Sequence, residues 1–398
     1  MKWQAALIAF ALLPGAIQAQ AFSAAEVELI LQHGPWPPSW EKDASNAVSG
    51  QSAAISLGQR LFFEPRLSGN QQRPCSSCHI PEKYWADGRA TGLGTELLDR
   101  NTPSIVNVRW QRWFAWDGGS DSLWAQSIRA LFNPREMQSN QKSVAALIRR
   151  DPNLACQYQT VFGAKPERHK DETVLVNTGK ALAAFQETLI SGRTPFDEFR
   201  DALSRGDTQG AASYPPAAQR GLGLFLGKAA CNLCHYGPRF SHGEFADIGV
   251  THFTRDRQVD SGRYGGLQVL KSSRFNLLGP YNDDPTHGNA IATRHVALNH
   301  NNWGEFRVPS LRQAVYTAPY MHHGRLASLR DVVRHYSDLD ENRLHGEGER
   351  VLRPLRLTEE EISDLVAFLE TLSVPQAEQK TPVIAACKPA SKVRRPIY

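Results

Sequence analysis

Gly58-Gln59-Arg60-Leu61-Phe62-Phe63 runs through a short loop into Cys75-Ser76-Ser77-Cys78-His79, and later Gly221-Leu222-Gly223-Leu224-Phe225-Leu226 runs into Cys231-Asn232-Leu233-Cys234-His235. Each copy is a short helical pattern followed by Cys-x-x-Cys-His. A second landmark follows each copy, Pro103-Ser104-Ile105 and then Pro309-Ser310-Leu311. Repetition on this scale argues for two related domains rather than a solenoid.

Cys-x-x-Cys-His is the attachment signal for c-type haem. The two thiols add to the haem vinyl groups, and the adjacent imidazole is placed under the iron. One turn must present both sulfurs to one porphyrin edge and the nitrogen to its centre. The alternative is zinc, because two Cys-x-x-Cys pairs can also ligate that ion. The immediate histidine in each pair favours haem. The expectation is two covalent c-type haems, at Cys75, Cys78 and His79 and at Cys231, Cys234 and His235.

What lies on the far side of each iron decides its chemistry. A sixth protein ligand makes an electron-transfer haem, and an open position makes a reactive one. Beyond Met1 the only thioethers are Met137 and Met321, and between His79 and His235 the one histidine is His169, in a charged stretch. The first haem therefore lacks an obvious second ligand and reads as open. For the second, Tyr336 sits on the apolar face of Val332-Val333-Arg334-His335-Tyr336. A phenolate ligand to haem iron has precedent, and a core tyrosine is the plainer reading. Helical spacing alone favours the plainer one.

The rest of the chain sets the context. It has 398 residues, 41% hydrophobic and 21% charged, which is ordinary for a globular protein with room for two domains. Lys2, the apolar run Ala5–Leu13 and Ala19-Gln20-Ala21 read as a cleaved export signal over 1–21 rather than a membrane anchor. No later segment has the apolar length of a membrane span. The expected location is the periplasm. The formal net charge of +5 is spread out, with no basic stripe interleaved with aromatics, so nucleic acid is excluded as a partner. The basic tail Lys388–Arg395 reads as a solvated end or a weak steering patch. Two cysteines remain, Cys156 and Cys387. In an exported protein they form either a disulfide or two buried thiols.

The organisation is mainly α, as two cytochrome-c-like haem domains related by internal duplication. A long helix is expected from about Asp171 to Ser191, with Leu175, Leu182, Phe185 and Leu189 near helical spacing. Gly206–Pro216 reads as a linker. Capping boxes at Ser328–Asp331 and Thr358–Glu361 open two further helices. The inward face of the first is Leu329, Val332, Val333 and Tyr336. The second carries Ile362, Leu365, Val366, Leu369 and Leu372. The boundaries are a signal over 1–21, a first haem domain over 22–210, a second over 211–375, and a tail over 376–398.

With these residues in view, the mature chain resembles the bacterial dihaem cytochrome c peroxidases, and within them the MauG/MbnH-like branch. The landmarks are the two haem motifs, Asp99-Arg100-Asn101-Thr102-Pro103, Trp116-Asp117-Gly118 and Asn133-Pro134-Arg135-Glu136-Met137. They continue with Val308-Pro309-Ser310-Leu311 and Ala318-Pro319-Tyr320-Met321-His322-His323-Gly324. Ordinary peroxidases of the family place an axial methionine on the helix beginning near Leu329, where this chain has Tyr336. The resemblance turns the reading of Tyr336 toward an iron ligand.

The resemblance implies further roles. Glu136 and Gln126 match the polar pair over the open haem, where a carboxylate can move a proton between peroxide oxygens. Trp116 matches the indole that relays electrons between the haems. Asn101, Thr317 and Pro319 match positions that hold calcium, through oxygen donors suited to that ion. Two departures stand out. Ala130 replaces a distal proline. Ala229 replaces a surface tryptophan through which electrons leave the protein substrate, so the partner or the exit path differs. Trp110, Trp113 and Trp124 offer other aromatic stepping points, although most of them read as core.

The function implied is a peroxide-dependent dihaem oxidase. Hydrogen peroxide generates a high-valent dihaem state that oxidises a residue, by analogy a tryptophan, on a partner protein. The first alternative is a cytochrome c peroxidase fed by a small redox protein, a cytochrome or cupredoxin, with a Met-ligated second haem. The other is a non-enzymatic electron carrier with both irons six-coordinate.

Overall fold

A computed structural model describes residues 22–250, 253–346, 351–375 and Cys387. The expected export signal and basic tail lie outside these residues. The described chain is mainly helical, with helices α1 (Ala24–Leu31), α2 (Ser52–Phe62), α3 (Leu123–Phe132), α4 (Gln141–Arg150), α5 (Pro152–Phe162), α6 (Asp171–Gln186), α7 (Pro195–Ser204), α8 (Thr208–Ala212), α9 (Pro216–Leu226), α10 (Arg263–Ser272), α11 (Ile291–His295), α12 (Leu329–Ser337) and α13 (Glu359–Glu370). Among the described residues the strands are a single antiparallel pair, β1 (Phe245–Ala246) and β2 (Phe306–Arg307), in which Phe245 faces Arg307.

The first core forms around α6. This helix is buried on nearly every side because α2, α3 and α4 all pack on it. Its close partner is α2, and glycine makes the approach possible. A Cβ on Gly58 would fall 1.9 Å from the carbonyl oxygen of Ala181. Leu57, Leu61 and Phe62 of α2 then meet Leu182 and Phe185 of α6 in one apolar cluster with Trp85 and Trp124. The helix ends at Gln186, a turn short of the expected Ser191. Thr188 and Leu189 continue as a turn, with Leu189 still buried.

The second core repeats this arrangement with other helices. α9 packs on α13, and a Cβ on Gly221 would fall 1.9 Å from the carbonyl oxygen of Asp364. Phe196, Phe225, Phe240 and Phe368 fill the cluster between them. Both expected capping boxes are present, Ser328–Asp331 opening α12 and Thr358–Glu361 opening α13. Ile362, Leu365, Leu369 and Leu372 are buried, with Val366 packed at the edge. On α12, Val333 is buried and Leu329 is partly covered.

Two findings go beyond the sequence boundaries. α1 and α7 precede Gly206, yet Ile30, Phe196 and Phe199 belong to the second core. The Gly206–Pro216 stretch also corrects the expectation of a plain linker. It contains α8, capped by the Asp207 carboxylate on the Gly210 N–H at 2.8 Å. Tyr214 is buried there, stacked on Phe199 at 4.2 Å with its hydroxyl against Thr371 Oγ1 at 2.6 Å. One aromatic anchor and one cap outweigh the local Gly, Ser and Pro content. Cys156 of α5 and Cys387 form a disulfide, which settles the alternative left open for these two residues.

Candidate functional site

Each Cys-x-x-Cys-His folds as one tight turn. The N–H of His79 donates to the Cys75 carbonyl at 3.0 Å, and that of His235 to the Cys231 carbonyl at 2.9 Å. In the first motif Cys75, Cys78 and His79 all line one cavity. The rings are fixed from behind. His79 Nδ1 lies 3.0 Å from the Trp85 carbonyl, and His235 Nδ1 lies 2.9 Å from the Phe240 carbonyl. A carbonyl only accepts, so Nδ1 carries the proton in both rings and Nε2 presents its lone pair. That is the tautomer an iron needs. Burial lowers the basicity of both rings, that of His235 to about 4.

The repeated Pro-Ser landmark holds these carbonyl loops. Ser104 Oγ donates to the Tyr84 carbonyl at 2.5 Å, one residue before Trp85. Ser310 Oγ donates to the Arg239 carbonyl at 2.7 Å, one residue before Phe240. The orienting carbonyls were not foreseen in the sequence. The two serines were the signal that could have found them.

A cavity of about 440 Å³ opens over the first motif, a volume within the ordinary range for cofactor sites. Cys75, Cys78 and His79 line it, and so do Trp116, Gln126 and Glu136. Gln126 and Ala130 lie one turn apart on α3 and share the wall. Gln126 Oε1 is buried with no hydrogen-bond partner. Glu136 accepts a hydrogen bond from Asn133 Nδ2 at 2.7 Å. Burial pushes this carboxyl above the usual carboxylate range, against the pull of Arg129 and Asn133. Among the described residues, His79 is the only histidine in the wall, and none of them there is a tyrosine. Met137 reaches the wall from the apolar core. His169 stays away, its Nδ1 bonded to the Tyr158 hydroxyl at 2.7 Å.

Trp116 ties this cavity to the second half. Its indole N–H donates to the Asn101 carbonyl at 2.9 Å, and its own carbonyl accepts from the Arg307 N–H at 2.8 Å. The next residue, Asp117, is buried between Arg100 and Arg129, which hold its carboxyl far below the usual range. Trp113 and Trp124 are core side chains whose indole N–H groups donate to Glu244 and Ser45. Trp110 is half-exposed and donates to the Ser39 carbonyl. Ala229 is buried.

In the second half, burial pushes the Tyr336 phenol up from its ordinary range, and the Cys231 and Cys234 thiols add to that. The Tyr336 hydroxyl has no hydrogen bond among the described residues, whereas that of the core Tyr158 has two, to His169 and Asn177, and that of Tyr214 has one. The calcium candidates are drawn together in part. The Asn101 N–H donates to the His322 carbonyl at 2.8 Å, which brings it to the 317–324 segment. Its Nδ2 donates to the Arg89 carbonyl at 2.8 Å, leaving Oδ1 as an acceptor. Among the described residues, no three His, Cys, Asp or Glu side chains are placed to share one ion.

The chain from 52 to 205 matches the family model of the di-haem cytochrome c peroxidases. It is similar to the methylamine utilization protein MauG of Methylorubrum extorquens, with 36% identity over 81% of this chain and 79% of the relative. This chain belongs to the di-haem cytochrome c peroxidase family. It is also similar to the cytochrome-c peroxidase IdrP1 of Denitromonas iodatirespirans, with 34% identity over 86% of both chains. Among solved structures it resembles a MauG-like protein associated with microbial copper homeostasis, with 27% identity, a TM-score of 0.60, and coverage of 85% of this chain and 95% of that one.

As a di-haem peroxidase family member, this chain is a haem oxidoreductase that binds two haems. The residues present fit that group. Two buried imidazoles present Nε2, each beside a thiol pair, and a cavity of suitable size surrounds the first. No helix among the described residues is long and apolar enough to cross a membrane.

Proposed function

We propose that this chain is a periplasmic, hydrogen-peroxide-dependent dihaem oxidase of the MauG type that takes two electrons from a partner protein for each peroxide reduced to water. The haems attach at Cys75 and Cys78 and at Cys231 and Cys234. His79 ligates the first iron, and His235 with Tyr336 the second. When bound, the two haems supply the reaction with peroxide and hold its two oxidising equivalents.

The chain's own residues do the rest. Glu136 takes the proton from the inner peroxide oxygen and returns it to the outer one, which leaves as water. Burial raises its proton affinity, which favours that transfer. Gln126 orients the peroxide, and its unpartnered Oε1 is the group free to accept from it. Trp116 links the two halves through Asn101 and Arg307 and is placed to pass an electron. Tyr336 stabilises the oxidised second centre. Asn101 Oδ1 and the carbonyls of Thr317 and Pro319 hold calcium. The partner is either the protein that is oxidised or a small redox protein.

One observation carries this reading. Among the described residues, the cavity that brings Glu136 and Gln126 to His79 offers no second histidine and no tyrosine. EPR of the oxidised protein tests it. One high-spin and one low-spin ferric centre are expected, and two low-spin centres would overturn it. Glu136→Gln should then slow the reaction with peroxide by about 10²- to 10⁴-fold, the usual weight of such a proton transfer. The relative named a cytochrome-c peroxidase supports a second reading, peroxide removal fed by a small redox protein. That reading calls for a methionine on the second iron, and Met321 is the residue available for it.

A further inference from the structure

Buried guanidinium groups in this protein have visible counter-charges or substitutes. Arg312 makes a bidentate pair with Asp197 at 2.7 and 2.9 Å. Arg100 binds Asp117 and Asp260, and Arg129 binds Asp117. Arg263 lies between the rings of Trp113 and Phe245 at 4.3 and 3.9 Å and donates to the Gly118 carbonyl.

Arg239 and Arg307 are different. Both are buried, and both have a buried Nη1 without a hydrogen-bond partner. Among the described residues, neither is paired with a carboxylate. Arg307 spends its Nε–H on the Ala115 carbonyl at 3.2 Å and lines the cavity over His79. Arg239 follows His235 by four residues in the loop that orients that ring. Two bonds bring them together. Ser310 Oγ holds the Arg239 carbonyl at 2.7 Å, and Ser241 Oγ holds the Val308 carbonyl at 2.7 Å, which pins the Arg239 loop to the end of β2. Burial pushes each cation down to about 10, and like-charge repulsion from Arg239 contributes at Arg307. Two like charges buried side by side need anions. A haem fixed by its vinyl edge to two cysteines carries carboxylates on the opposite edge.

We propose that Arg239 and Arg307 form a paired carboxylate site between the two haem pockets, Arg307 receiving a propionate of the first haem and Arg239 one of the second. This rests on the haem placement argued above. The two guanidiniums neutralise charge beside each iron, and Arg307 does so one backbone hydrogen bond from Trp116. Both are positioning residues, setting the potentials between which the electron passes.

The test uses the intact dihaem protein without peroxide, so it stands apart from the peroxide reaction. Arg307→Met and Arg239→Met remove the charge and keep most of the bulk, and the lysine variants keep the charge. Midpoint potentials are followed by spectroelectrochemistry, the high-spin and low-spin haems being read separately. Arg307→Met should lower the potential of the high-spin haem, because an uncompensated carboxylate favours the ferric state. Arg239→Met should lower that of the low-spin haem, and each lysine variant should recover most of the loss. Resonance Raman bands of the propionates should shift in the methionine variants, and in the lysine variants if the methionine ones fail to fold. Unmoved potentials with unmoved bands would overturn the proposal, as would a wild-type potential that tracks added acetate, because the anion would then come from solution. If peroxide chemistry fails but these shifts appear, the activity reading falls and the carboxylate site stands.

Discussion

Asn133 Nδ2 donates to Glu136 Oε1 at 2.7 Å, three residues away at the end of α3 and over the cavity that His79 lines. The two act in opposition. Burial pushes the Glu136 proton affinity up, and the amide, with Arg129, draws it down. The carboxylate is the form that accepts the first proton of peroxide. The rate of reaction with peroxide should therefore fall as pH drops through a value above the ordinary carboxylate range. Asn133→Ala removes one brake, so the falling limb should move to higher pH. In Glu136→Gln the limb should vanish. Stopped-flow rates across pH check all three outcomes.

Tyr336→Met replaces the phenol facing Cys231 and Cys234 with the ligand of ordinary family peroxidases. The second haem should remain low-spin. The doubly oxidised state formed with peroxide should decay about tenfold faster or more, because a phenolate favours high oxidation states. Equal lifetimes in stopped-flow spectra would remove Tyr336 from the iron.

Glu187 is buried, accepts from Ser49 Oγ at 2.7 Å, and is pushed up to about 7 by burial. The folded state therefore holds a proton that the unfolded chain releases near the ordinary value. Its favourable contribution is complete below the unfolded value and is lost as pH rises through about 7. Glu187→Gln should match the wild type near pH 4 and exceed it at pH 8, by no more than about 3 kcal/mol. Chemical denaturation at the two pH values measures the difference.

Gly58→Ala and Gly221→Ala each drive a methyl into a facing backbone carbonyl at 1.9 Å. Backbone cannot rotate away as a side chain can, so each should cost about 2 kcal/mol or more. Gly58→Ala should disturb the first haem's spectrum before the second, and Gly221→Ala the reverse. Thermal melts followed at each haem's own band check the order.

Replacing Cys156 and Cys387 with serine opens a loop 231 residues long. Stability should fall by about 2 to 4 kcal/mol. Helical content and haem content should stay, because neither residue touches the cavity wall. Circular dichroism under denaturant gives the loss.

Much of this was legible in one dimension. The two Cys-x-x-Cys-His stretches are local signals, because one turn holds every atom they use. The capping boxes of α12 and α13 are local for the same reason, each hydrogen bond spanning three residues. Gly58 and Gly221 stood at matching places in the two similar stretches, but their role at the helix crossings depended on Ala181 and Asp364, more than a hundred residues away. Gly206–Pro216 misled, because its composition is that of a linker while its structure is set by Tyr214 meeting Phe199 and Thr371.

The sequence by itself determined the haem count, the helical class and the chemical identity of Glu136, Gln126, Trp116 and Tyr336. Tertiary structure alone decided what surrounds them. It put Glu136 and Gln126 in one wall with His79, joined Cys156 to Cys387, drew α1 and α7 into the second core, and left Arg239 and Arg307 buried without a counter-charge among the described residues. The physical reason is range. Attachment turns and helix caps are closed by bonds between near neighbours and are written in adjacent residues. Burial, pairing of charge and the shape of a cavity depend on which distant segments meet.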